Sequence, residues 1–249
     1  MKRCLFIWLL CFLLAGCAKT EPVQTEVPTV PPVTSAPATE APTEIPTEAP
    51  TEIPTELPAP EPTEAPAEED LVRVRDFVPE IREELAYATE QNFTGQQIYD
   101  FYNAYLRYGT VKKLAQVSAE LEEQGLGLLI WDGFRPVSAQ QALWEVCPDA
   151  RYVSHPVTGT RAHCRGNAVD LTLVNLLTGE KLTMPTGFDD FSALADRNYS
   201  DCTEEAAQNA ELLEKAMEKY GFTGYSKEWW HFTDTKSYPV EETFQPPVG

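Results

Sequence analysis

The 249-residue chain carries 39 Asp and Glu against 19 Lys and Arg, a formal charge of −20. No basic stripe occurs in it, which argues against a nucleic-acid partner bound through phosphate neutralisation. The charge is uneven. Twelve acids lie between Glu21 and Asp70 with no Lys or Arg among them, and only residues 70–249 mix apolar and polar residues as a globular core does. About 180 residues suits one domain.

Residues 1–17 read as an export signal: Lys2 and Arg3, an apolar run from Leu5 to Leu14, then Leu-Ala-Gly-Cys ending at Cys17. About twelve apolar or small residues are too few for a permanent membrane span. The small pair before the cysteine resembles the bacterial lipobox. That implies cleavage before Cys17, acylation of its thiol and a lipid anchor on the extracytoplasmic face of the cell membrane; an ordinary secretory signal is the alternative. Residues 18–69 follow as a Pro/Thr/Glu-rich linker in which Thr-Glu-x-Pro recurs from Thr39 to Thr63. Such a segment buries too little apolar surface to offset its ordering entropy, and its prolines and like charges make it a semi-rigid, disordered tether.

Within the domain, Val111, Leu114, Val117 and Leu121 have helical spacing, and Gly125 is placed to end that helix. Leu126 to Trp131 reads as a buried strand, and Asp132 to Arg135 as a strand-to-helix loop. Ser138 with Gln141 three residues later resembles a capping box opening a helix to about Cys147. Ala168 to Val174 alternates as a strand, with Asp170 and Thr172 on one face and Val169, Leu171 and Leu173 on the other. Thr203 to Tyr220 reads as a scaffold helix with acids in its first turn and Gly221 after its last. The last elements, Phe222 to Ser226 and Glu228 to Phe232, read as short strands or strand edges. Uneven interleaving of strands and helices predicts an α+β fold.

Export removes Cys4 and Cys11, and acylation takes Cys17, so Cys147, Cys164 and Cys202 remain. An exported domain with three cysteines allows one disulfide, and Cys147 with Cys202 is the expected pair, Cys164 being packed.

Two segments carry the chemistry: AHCRGNAVD from Ala162 to Asp170 and EWWH from Glu228 to His231. A hydrolytic zinc site wants three nitrogen or oxygen ligands, an open position for water, and a carboxylate to take that water's proton. His163, Asp170 and His231 fit the first role and Glu228 the last. Only three histidines exist in the chain, and two fall in these segments. The third, His155, lies in a Pro- and Gly-containing loop and reads as a surface residue.

These segments resemble the VanX-type D-alanyl-D-alanine dipeptidases, within the lysostaphin, D-Ala-D-Ala peptidase and hedgehog group of zinc peptidases. The similarity runs through the domain, in YATEQNFTG from Tyr87, LLIWDGFRP from Leu128, HCRGNAVDLTL from His163, TGFDDF from Thr186 and GYSKEWWHF from Gly224. It implies a small α+β fold, with a central mostly antiparallel sheet flanked by helices. It implies one zinc on His163, Asp170 and His231, with Glu228 as catalytic base and Arg135 as transition-state stabiliser. Tyr87 and Asp189 match the residues that hold the substrate's N-terminal end, with Asp190 the adjacent alternative. The implied activity is hydrolysis of D-alanyl-D-alanine to two D-alanines, which outside the cytoplasm suits wall turnover or dipeptide scavenging.

One departure stands out. The position two before His163, usually Ser in this group, is Arg161, whose guanidinium suits the substrate's C-terminal carboxylate but is bulkier. Two other classes share parts of this pattern. A D,D-carboxypeptidase or endopeptidase acting on peptidoglycan stem peptides shares the metal motif but has no ammonium to place at Asp189. A zinc-bearing binding module is expected to lack Glu228 or Arg135. No protein partner is inferred.

Overall fold

The computed structural model describes residues 64–248; the signal segment, Cys17 and the repeat as far as Thr63 lie outside the described residues. No helix among the described residues is long and apolar enough to cross a membrane. A five-stranded sheet in the order β2-β4-β5-β7-β6 forms the centre, built from Arg82–Glu83, Leu126–Asp132, Ala168–Asn175, Glu228–Asp234 and Phe222–Tyr225 respectively. Only β2 and β4 run parallel; every other neighbouring pair is antiparallel. The expected mostly antiparallel α+β sheet is therefore present. A separate two-stranded piece, β1 (Leu71–Arg73) with β3 (Tyr105–Arg107), had no signal in the sequence pattern.

Helix α1, Tyr108–Glu122, buries Val111, Leu114, Val117 and Leu121 completely and packs on β4 and on α3, Glu204–Lys219. The apolar run of β4 is buried along nearly its whole length because it lies in the sheet interior. Helix α3 starts where its cap allows: the Thr203 hydroxyl accepts the Ala206 amide at 3.2 Å, and Glu204 and Glu205 fill the positive first turn. Gly125 and Gly221, after α1 and α3, have φ of 73° and 87°, a region closed to most side chains.

Two sequence expectations fail here. Helix α2, Val137–Val146, begins directly after Pro136 with no side-chain cap. Ser138 is thus already inside the helix, too late for its hydroxyl to cap it, and Gln141 bonds Glu145 one turn on. The second failure is the disulfide: Cys147, Cys164 and Cys202 are all free thiols. Cys164 is buried as expected, while the Cys202 thiol donates to the Tyr199 carbonyl at 3.2 Å.

Candidate active site

Register places the site. Asp132 on β4 lies opposite Asp170 on β5, and Asp170 lies opposite His231 on β7, so one row across three strands carries two acids and an imidazole. Antiparallel neighbours in register share a face, which is why residues about 60 and 100 positions apart meet. His163 joins them from a 3-10 turn, His163–Arg165, that precedes β5 and closes at Gly166 with φ 73°.

His163 Nδ1 donates to the Gly133 carbonyl at 2.8 Å, which fixes its tautomer and turns Nε2 toward the Asp170 carboxylate at 3.3 Å. His231 bonds Thr233 Oγ1 through Nε2 at 3.0 Å, presenting Nδ1 to Asp170 at 2.9 Å. His163 Nε2 and His231 Nδ1 are themselves 3.2 Å apart. When the outer ring protons sit toward the Gly133 carbonyl and Thr233 Oγ1, His163 Nε2, His231 Nδ1 and the Asp170 carboxylate are free to act as ligands; without a metal, ring protons facing Asp170 hydrogen-bond its carboxylate instead. The ligand atoms of His163, Asp170 and His231 all lie within 4.8 Å of one another. This donor set fits zinc, with outer hydrogen bonds orienting each ring. Burial opposes the charged form of Asp170, but the imidazoles, His163 foremost, hold its carboxyl well below the usual carboxylate range.

Glu228 and His231 are three residues apart on a strand, a spacing that regular alternation would place on opposite faces. A bulge resolves this. Gly224 pairs with Phe232 but Tyr225 pairs with Glu228, so β7 carries extra residues against β6. Both Trp229 and Trp230 are buried within the bulge, and Glu228 Oε2 comes to 3.8 Å from His231 Nδ1. Arg197, missed in the sequence, holds the bulge: Nε donates to the Tyr225 carbonyl at 3.0 Å, and Nη2 to those of Trp229 and His231 at 3.1 and 2.9 Å. Burial pushes the Glu228 carboxyl up to about 7 against the pull of His231.

Arg135 is buried beside this group. Asp132 Oδ2 accepts from its Nε at 3.1 Å and its Nη2 at 2.5 Å, and Gln140 Oε1 accepts from Nη1 at 3.0 Å. Burial opposes the guanidinium's charge, and Asp132 together with Tyr99 and Tyr87 more than offsets it. Of five N–H donors, three are engaged and two have no partner among the described residues. Asp132 also accepts from the Tyr99 hydroxyl at 2.7 Å. Asp132 is a functional residue that the sequence analysis does not single out, and its place in the WDGFRP segment is the signal that marks it.

Tyr87 donates its hydroxyl to Asp189 Oδ2 at 2.9 Å, and its ring lies under Arg135, 5.1 Å from the guanidinium carbon. Burial pushes the Asp189 carboxyl up to about 7 against this hydrogen bond, and nearby Asp170 adds to the rise. Asp190 turns away, accepting the Ser192 amide at 2.8 Å. Arg161 has φ 49° and sits 3.6 Å from Glu242 on the C-terminal strap. His155 is not a plain surface residue: it is half-buried against Trp144, and Nδ1 accepts the Val157 and Thr158 amides at 3.1 Å. One cavity of about 920 Å³ is lined by Tyr87, Asp189, Arg135, Arg161, Glu228 and the three metal-type donors.

A His-Asp-His donor set with a carboxyl group beside it and an arginine aimed at the same cavity is the machinery of a zinc metallopeptidase. Residues 67–246 match the family described as D-ala-D-ala dipeptidase. The D-alanyl-D-alanine dipeptidase of Escherichia coli (strain K12) is 36% identical over 173 residues, covering 69% of this chain and 89% of that protein. That of Streptomyces coelicolor is 33% identical over 195 residues, covering 70% and 96%. Among solved structures, the vancomycin-resistance D,D-dipeptidase VanXYg, in complex with a D-Ala-D-Ala phosphinate analogue, overlaps 54% of this chain and 52% of its own at 18% identity and a TM-score of 0.34. The chain belongs to the D-Ala-D-Ala dipeptidase family of zinc metallopeptidases.

Proposed function

We propose that this protein hydrolyses D-alanyl-D-alanine to two D-alanines at a single zinc held by His163, Asp170 and His231. The observation that carries the dipeptide reading is Asp189: a carboxylate sunk into the wall of the cavity that holds the metal donors, bonded to the Tyr87 hydroxyl. A substrate ammonium is the group that completes it. Zinc bound at the triad supplies Lewis acidity toward the scissile carbonyl and toward water. Glu228, with a carboxyl near 7, takes the proton of the attacking water and returns it to the departing amine. The two free N–H groups of Arg135 stabilise the oxyanion that forms on attack. Arg161 meets the C-terminal carboxylate, at the far end of the dipeptide from Asp189.

The test is metal content and turnover in variants. Glu228→Gln is expected to keep one equivalent of zinc and lose about 10²- to 10⁴-fold in kcat, the range of general acid–base catalysis. His163→Ala, Asp170→Ala or His231→Ala is expected to lose the metal. Near-native turnover in Glu228→Gln would remove Glu228 from the mechanism.

We also propose a lipid anchor at Cys17 on the extracytoplasmic face of the cell membrane, with the repeat as tether. The basic pair Lys2 and Arg3, the apolar run and Leu-Ala-Gly-Cys support it. The substrate is then dipeptide released in wall turnover or scavenged. Cys17→Ala is expected to move the protein from the membrane to the soluble fraction, and unchanged fractionation would contradict the anchor.

A further inference from the structure

Gln140, on α2, is buried to 1% exposure and spends both ends of its amide on the site. Its Oε1 accepts from Arg135 Nη1 at 3.0 Å, and its Nε2 donates to the Ser154 carbonyl at 2.7 Å. Ser154 belongs to the loop of residues 148–162 that forms one wall of the cavity, and Ser154 Oγ in turn accepts the Arg161 amide at 3.4 Å. Arg135 requires an acceptor and the Ser154 carbonyl requires a donor. The amide of Gln140 offers one of each, whereas an ionised Glu lacks the donor and Lys the acceptor.

The guanidinium is thereby fixed on two sides. Asp132 grips Nε and Nη2, and Gln140 takes one hydrogen of Nη1, which leaves the two unused hydrogens in a single orientation. Asp132 alone would leave the guanidinium free to pivot about that grip. We propose that Gln140 is a positioning residue that aims Arg135 at the oxyanion and locks that aim to the placement of the loop carrying Ser154 and Arg161. The proposal rests on the reading of Arg135 as oxyanion stabiliser. It predicts that losing Gln140 costs transition-state stabilisation without costing ground-state binding.

The experiment uses the full-length, zinc-loaded protein with Gln140→Met, which keeps the volume and drops both bonds. For D-Ala-D-Ala, kcat is expected to fall about 10- to 100-fold, as when outer-shell partners are lost, with KM changed less than about threefold. Inhibition by a phosphinate analogue of the dipeptide, which mimics the tetrahedral species, is expected to weaken by the same factor as kcat/KM. In an Arg135→Ala background the Gln140→Met change is expected to have no further effect on kcat, because its route is gone. Gln140→Asn, one methylene shorter, keeps the polarity but cannot span both partners, and serves if the Met variant does not fold; the same kcat loss is expected. An equal kcat loss with and without Arg135, or a rise in KM at constant kcat, would overturn the proposal. An Arg135→Ala protein with unchanged kcat would instead overturn the prior reading of Arg135.

Discussion

Asp189 holds a backbone conformation, φ 55°, that most side chains avoid and Asp tolerates better than most, and it keeps a carboxyl where burial raises it to about 7. Both features cost the folded protein of the order of 1 kcal/mol or more. The pH dependence follows in sign. An acid raised from 3.8 to about 7 contributes stability in full below 3.8, where both states hold the proton, and loses it as pH rises through about 7. The span corresponds to on the order of 4 kcal/mol at most. Thermal midpoints of the zinc-free protein measured from pH 4 to 8 should therefore fall more steeply for the native chain than for Asp189→Asn; parallel curves would contradict the burial of this carboxyl. At this scale the sequence was informative where chemistry is rare. Two of the three histidines fall in the cluster with metal-type donors. Asp189 and Asp190 were indistinguishable as adjacent acids, because what separates them is the turn that sends one inward and bonds the other to Ser192.

The bulge in β7 is the element on which the site turns. Glu228 to Phe232 reads as a short strand or strand edge in which Glu228 and His231 converge only if the backbone turns or twists between them, and no residue type within EWWH says how it does so. The signal lies outside the strand, in Arg197, whose guanidinium bonds three carbonyls of the β6–β7 region and pairs with Glu214 at 3.1 Å. A lysine ammonium is a compact point charge that cannot cover those carbonyls from one position. Arg197→Lys is expected to weaken zinc binding about 10- to 100-fold, as loss of an outer-shell support does, because His231 moves with the bulge. Competition against a chelator measures it, and unchanged affinity would show that the bulge stands without Arg197. Helices α1 and α3 were readable to within a few residues because their stripes and glycine stops are local. The start of α2 was not, since Pro136 overrides the Ser138 and Gln141 pattern.

For the whole molecule, the sheet gathers into one cavity residues from Tyr87 to His231, and the function proposed above assigns them three separable tasks: metal binding, proton transfer and recognition of a free amine. The α+β class was legible from the uneven order of elements. The strand order was not, because β2 reaches β4, and β5 reaches β7, only by long-range pairing that leaves no trace in local pattern. The central claim is that the metal site is coupled to an amine receptor, and rates on matched substrates test it most directly. The zinc-loaded protein should cleave D-Ala-D-Ala at least about a hundredfold faster than its N-acetylated form, which cannot pair with Asp189, and Asp189→Asn should narrow that gap. Equal rates on both compounds, or cleavage only of a blocked stem peptide, would contradict the dipeptidase account in favour of a carboxypeptidase.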